Sequence, residues 1–179
     1  LWQRWHELSA ASKTSAAMAE AFACRALALG MSGSAAKALI ETLEIRYDAA
    51  AVRALAVLAH NDRTLLDRIA ALVAAHSADA DLQHTLGAWS KACGNAPDAI
   101  AYWQRAIAQG GGAESWNQLG QCFAEQGQFE QAYIAENNAR RVLNGEAPLP
   151  MSGITFQQKI AAEAVSEQRN EHGIPWLPQ

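Results

Sequence analysis

The sequence is short of the residues that most narrow a protein's chemistry. Its three cysteines, Cys24, Cys93 and Cys122, stand apart, odd in number and never as Cys-x-x-Cys. Neither a disulfide framework nor a structural zinc site is supported, and a reducing compartment fits best. The three read as small buried hydrophobes on helices. Basic residues are few, with 14 Lys and Arg against 18 Asp and Glu for a formal net charge of −4. A chain without a dense Lys/Arg face does not neutralise phosphates, so nucleic acid is not an expected partner. No run approaches the ~20 apolar residues of a membrane span, and no basic start precedes an apolar core as in a signal peptide. Of five prolines, Pro148, Pro150, Pro175 and Pro178 lie near the end, and β-branched residues are sparse throughout. The body therefore lacks both helix breakers and strand formers.

What remains is a chain of 179 residues, 50% hydrophobic and 18% charged, the composition of a packed globular domain or a short repeat array. Alanine, Leu, Glu and Gln dominate, and the expected fold is all-α. Gly, Asn, Asp and Ser punctuate it into helices near 2–9, 15–29, 33–45, 48–59, 63–76, 79–92, 96–108, 112–125 and 129–143. Helices this short, joined by tight turns, pack as antiparallel neighbours. A period then emerges: Gly87, Gly94, Ala99 and Ala106 recur as Gly120, Gly127, Ala132 and Ala139, each displaced by 33 positions. Small residues recur where two helices approach closely, and larger ones, Leu86 and Leu119 or Ile100 and Tyr133, are expected to fill between them. One such pair cannot bury its own apolar face, so stacking into a solenoid supplies the core.

This spacing resembles the tetratricopeptide repeat (TPR), with its W-x2-L-G-x2-Y, turn Gly and A-x3-F-x2-A pattern. Trp116, Leu119, Gly120, Phe123, Gly127, Ala132 and Ala139 carry it in the last unit, with Glu136 where an aromatic is expected. Leu86, Gly87, Gly94, Ala99, Trp103 and Ala106 carry it in the unit before, departing at Gln83 and Ser90. Phe22, Ala23, Gly30, Ala35 and Leu39 form a weaker unit, and residues 48–77 a shortened one whose turn is His60-Asn61-Asp62. The resemblance implies a right-handed superhelical solenoid of about four antiparallel helix pairs over residues 15–145. Residues 1–10 then read as the remnant helix of a truncated upstream repeat, and 146–179 as a linker, a helix near 155–170 and a Pro-containing tail.

Leu1, Trp2, Trp5 and Leu8 form an apolar stripe at helical spacing with nothing upstream to cover it, which predicts burial against a neighbour, as a dimer through Trp2 and Trp5 or against a packed tail. At the other end Phe156, Ile160, Ala164 and Val165 form a narrower stripe that could cap the solenoid, and Trp176 reads either as a docked anchor or as part of a mobile tail. A chain that opens at Leu1 reads as a soluble piece of something longer.

A more specific resemblance covers most of the chain: the opening Leu1-Trp2-Gln3, the Ala-rich helix ending at Gly30, the Asn61-Asp62 turn before a helix ending in Ala74-Ala75-His76, and then Asp81-Leu82-Gln83-His84-Thr85-Leu86-Gly87. These look like the C-terminal repeat domain of the HemY family, haem-biosynthesis-associated proteins of the bacterial inner membrane. The resemblance implies a parent protein anchored by an N-terminal segment, with the repeats on the cytoplasmic side, and a non-catalytic scaffold beside late protoheme synthesis with haem-pathway enzymes among its partners. It is not the flavin-dependent protoporphyrinogen oxidase that has shared the name, because no strand-to-helix G-x-G-x-x-G occurs.

No catalytic set can be identified from spacing, and no cofactor or metal is expected. Gly110-Gly111-Gly112 follows a helix and lacks a Lys-Ser/Thr, so it reads as an inter-repeat linker. His6-Glu7 has no second His four positions on, and His60, His76, His84 and His172 are scattered, with solvent-facing or capping roles as the default. The candidate site is the groove lined by the first helix of each repeat, at repeat positions 2, 5, 9 and 12: Asp81, His84, Ala88 and Lys91, then Glu114, Asn117, Gln121 and Ala124. A polar groove of small residues suits a peptide or partner helix, and Lys91, nearly alone, does not make a clamp for an acidic tail. Two other readings stay open: a haem or porphyrin carrier, with His84 beside Trp89, or Cys93, as candidate ligands, and a general assembly factor for envelope or secretion complexes.

Overall fold

In the computed structural model the described residues are 1–13 and 15–151, apart from the side chains of Trp2, Ala10 and Ala16. They are all-helical: α1 (Trp2–Glu7), α2 (Ala10–Lys13), α3 (Ala16–Ala28), α4 (Ser32–Ile45), α5 (Ala49–Val57), α6 (Arg63–His76), α7 (Ala80–Ala92), α8 (Ala96–Ala108), α9 (Ala113–Glu125) and α10 (Phe129–Leu143). None of these helices is long and apolar enough to cross a membrane. The helix near 155–170, its apolar stripe and Trp176 lie outside the described residues.

Helix starts follow from side chains that accept the otherwise unpaired N–H groups of a first turn. Asp48 accepts from Ala50 and Ala51, Asp62 from Leu65, Asp79 from Asp81 and Leu82, and Asn95 from Asp98. Helix stops follow from glycine. Gly94 and Gly127 take φ of +78° and +74°, a left-handed conformation that L side chains resist. There the next residue's N–H returns to the helix, Asn95 to the Ser90 carbonyl and Gln128 to that of Phe123, both at 2.9 Å. The turn between α5 and α6 has no glycine, and Asp62 N–H instead bonds the His60 carbonyl at 2.8 Å.

Residues 1–149 form one compact unit. Within it α3 packs on α5 and α5 on α7, α4 packs on α6, α7 on α8, α8 on α9, and α9 on α10. The interior is rich in alanine and aliphatic residues over the first half of the unit, with Leu39, Ile40, Leu55, Leu58 and Ile69 beside the aromatic Trp5 and Phe22, and further on Trp89 and Trp103 are fully buried. The 33-residue period is visible as burial, since Leu86 and Leu119, Gly87 and Gly120, Ala99 and Ala132, and Ala106 and Ala139 are buried in both copies.

Several expectations are corrected. Tyr133 does not fill between helices, being 69% exposed, whereas Ile100 is half-buried. Cys24 is exposed and Cys93 half-buried, and only Cys122 is buried. The first helix stops at Glu7, and a separate turn, α2, begins where the Ser9 hydroxyl accepts the Ser12 N–H at 3.2 Å. The stripe at the start is not without cover: Trp5 is buried and stacks on Phe22 of α3 with ring centroids 4.0 Å apart.

Candidate functional site

The helices α5, α7 and α9 enclose a cavity of about 530 Å3, within the range of ligand sites. From α7 it is lined by Asp81, His84, Ala88 and Lys91, all four of the residues expected there. From α9 it takes Glu114 of the expected set, and Ser115 and Gln118 in place of Asn117, Gln121 and Ala124, which do not line it. At about 100° per residue Ser115 and Gln118 fall to one side of Glu114 and Asn117 and Ala124 to the other, while Gln121 lies nearly in line with Glu114 but about two turns farther along the helix. Arg53, Ala56 and Val57 of α5 complete the wall and were missed, because the shortened repeat has no turn glycine from which to set its register.

Polar side chains bridge successive helices across this cavity. Arg53 Nη1 lies 2.6 Å from Asp81 Oδ2, and Lys91 Nζ lies 2.8 Å from Glu125 Oε1. His84 Nδ1 is 3.0 Å from the hydroxyl of Ser115, itself buried. Burial pushes the His84 imidazole below its ordinary range, outweighing the pull of Glu114 and Asp81 towards the charged form. His84 is thus a neutral hydrogen-bonding group. Ser115 and His84 are within hydrogen-bond reach of each other, and among the described residues no carboxylate hydrogen-bonds the far nitrogen of that ring.

The two alternative candidate haem ligands, His84 and Cys93, lie apart along α7 and its C-cap. His60, not His84, lies beside Trp89, at 4.8 Å between ring centroids, with His60 Nδ1 on the Leu58 carbonyl at 2.9 Å. His84 lines the cavity, whereas Cys93 caps the far end of α7, two and a half turns away. His76, at the end of α6, stacks on Tyr47 at 3.6 Å between ring centroids, and the Tyr47 hydroxyl donates to Asp79 at 2.6 Å. Burial and that hydrogen bond raise the Tyr47 hydroxyl's pKa, so it stays protonated. Among the described residues no group of three or more His, Cys, Asp or Glu is placed to hold a metal ion.

A second concavity, of about 470 Å3 and mostly apolar, lies between α1 and α3 against Trp5, Leu8, Met18 and Phe22. No family model matches the chain, and no curated protein sequence matches it.

Proposed function

We propose that the chain is a non-catalytic, TPR-type protein-interaction scaffold, its helix pairs stacked as a right-handed solenoid whose first helices present a docking groove. The observation that carries the reading is the cavity shared by α5, α7 and α9, wide, part polar and floored by Ala56, Ala80 and Ala88. Small floor residues leave room for the ~10 Å body of a helix. The 33-residue burial pattern supports the repeat assignment, because the same small positions are buried in two successive pairs. Following its resemblance to the HemY family, the scaffold is assigned to a membrane-anchored parent of the bacterial inner membrane, facing the cytoplasm, that gathers haem-biosynthesis enzymes.

Site-specific photo-crosslinking tests this. Probes at Ala88 and Gln118, inside the cavity, are expected to capture haem-pathway enzymes, while a probe at the exposed Gln104 on α8 does not. Capture of envelope or secretion components at the groove would move the protein to the assembly-factor reading, and equal capture at all three positions would end the groove assignment. A Soret shift on haem titration that His84→Ala abolishes would instead make it a carrier.

A further inference from the structure

The charges around the cavity are unevenly engaged. Both of its cations are already held, Arg53 by Asp81 at 2.6 Å and Lys91 by Glu125 at 2.8 Å. The carboxylates are in surplus. Glu114 receives only the Gln118 side-chain amide, at 2.9 Å, and has no cation partner among the described residues. The wall continues past Arg53 and Val57 into an adjoining concavity that ends at Glu20, again without a cation partner among the described residues. Between these two carboxylates lie the small or apolar Ala56, Val57, Ala80 and Ala88, with Val57 half exposed, beside the mutually paired Arg53 and Asp81.

An acidic segment laid here would meet Glu114 and Glu20 and would gain a cation only by breaking one of the two bridges. A basic segment meets free carboxylates and leaves both bridges intact. Resting on the docking-groove reading, we infer that the occupant is a basic amphipathic helix of a partner protein, its apolar face on Val57 and Ala88 and its Lys or Arg flanks against Glu114 and Glu20. Exposed ion pairs contribute little each, so the preference is a matter of several-fold rather than orders of magnitude, and salt weakens it.

The test is fluorescence anisotropy with two synthetic helices about four turns long. They share one Leu/Ala face and carry Lys on both flanks in one peptide and Glu in the other. Wild type is expected to bind the Lys peptide about fivefold or more tightly than the Glu peptide at low salt, with the gap closing at high salt. Glu114→Lys is expected to reverse or erase the gap, Glu114→Gln to halve it, and Ala88→Trp, which fills the groove, to abolish binding of both with an unchanged melting temperature. Equal or tighter binding of the Glu peptide, lost in Ala88→Trp, overturns the basic partner and leaves the groove standing. Binding of neither peptide, or binding indifferent to Ala88→Trp, overturns the groove together with the inference.

Discussion

The pair α7–α8 and the pair α9–α10 repeat the same positions and fill them differently. In the first, Trp103 of α8 is fully buried over Gly87, so tightly that a Cβ on Gly87 would fall 2.5 Å from Trp103 Nε1. In the second, Glu136 stands at the equivalent position, exposed, and a Cβ on Gly120 would lie 3.2 Å from Glu136 Cγ and 3.3 Å from the Ala132 carbonyl. The same glycine is thus a seat for an indole in one pair and a close but less crowded helix crossing in the other. The cost of that seat is visible in Trp103 Nε1, a buried donor with no partner among the described residues, while Trp89 Nε1 of the neighbouring helix donates to the Leu55 carbonyl at 3.0 Å. A motif position therefore predicts close approach, and the residue across from it decides how much that approach matters.

The largest effect separating the pairs is expected from Trp103→Ala, at about 3–5 kcal/mol, against a change within about 0.5 kcal/mol for Glu136→Ala, read by urea unfolding of each variant. Similar costs for both would mean that the pairs are filled alike. Next, Gly87→Ala is expected to cost about 1–3 kcal/mol by overpacking. Gly120→Ala is expected to cost less than Gly87→Ala, because the flexible Glu136 side chain can move and alanine gains about 1 kcal/mol of helix propensity, which offsets the small shift required of the Ala132 carbonyl.

A third contrast lies two residues on. Asn138 is buried and holds the backbone of Leu149 by two bonds, its amide donating to the Leu149 carbonyl at 2.8 Å and its oxygen accepting the Leu149 N–H at 2.6 Å. Its counterpart Arg105 is exposed over the Tyr102 ring at 5.3 Å. Asn138→Ala is expected to cost about 1–3 kcal/mol and to speed hydrogen exchange at Leu149, with Arg105→Ala under about 1 kcal/mol.

The smallest contrast concerns acid. His84 has Asn117 as its counterpart, and burial lowers the His84 pKa from its ordinary 6.5. The unfolded chain then binds that proton more readily than the folded one, so stability is complete above pH ~6.5 and declines as pH falls below it. His84→Asn is expected to flatten this decline in melting temperature, and an unchanged slope would assign the acid sensitivity elsewhere.

Much of this was legible in the sequence, for reasons particular residues make plain. Caps are local, so Asp48, Asp62, Asp79, Asn95 and the turn glycines place most helix ends within two residues of those observed. The small positions of the period are legible because close approach admits little else. Ser9 was a signal that went unused, since its hydroxyl starts α2. The α7 side of the cavity was legible because one helix face follows from spacing alone. The α9 side was not, because its angle to α7 is set by packing, and Arg53 was hidden in a repeat whose turn lacks the glycine that marks the others. The cover that Phe22 gives Trp5 is likewise a contact across the chain, which periodicity does not reveal.

The central claim is that the cavity between α5, α7 and α9 is where a partner protein docks. The most direct measurement is crosslink capture from Gln118 in cells carrying either the wild-type protein or Ala88→Trp, with melting temperature as the control on folding. The account predicts that the partner captured by the wild type disappears with Ala88→Trp while the melting temperature stays the same. Undiminished capture of that partner by the filled groove would contradict it.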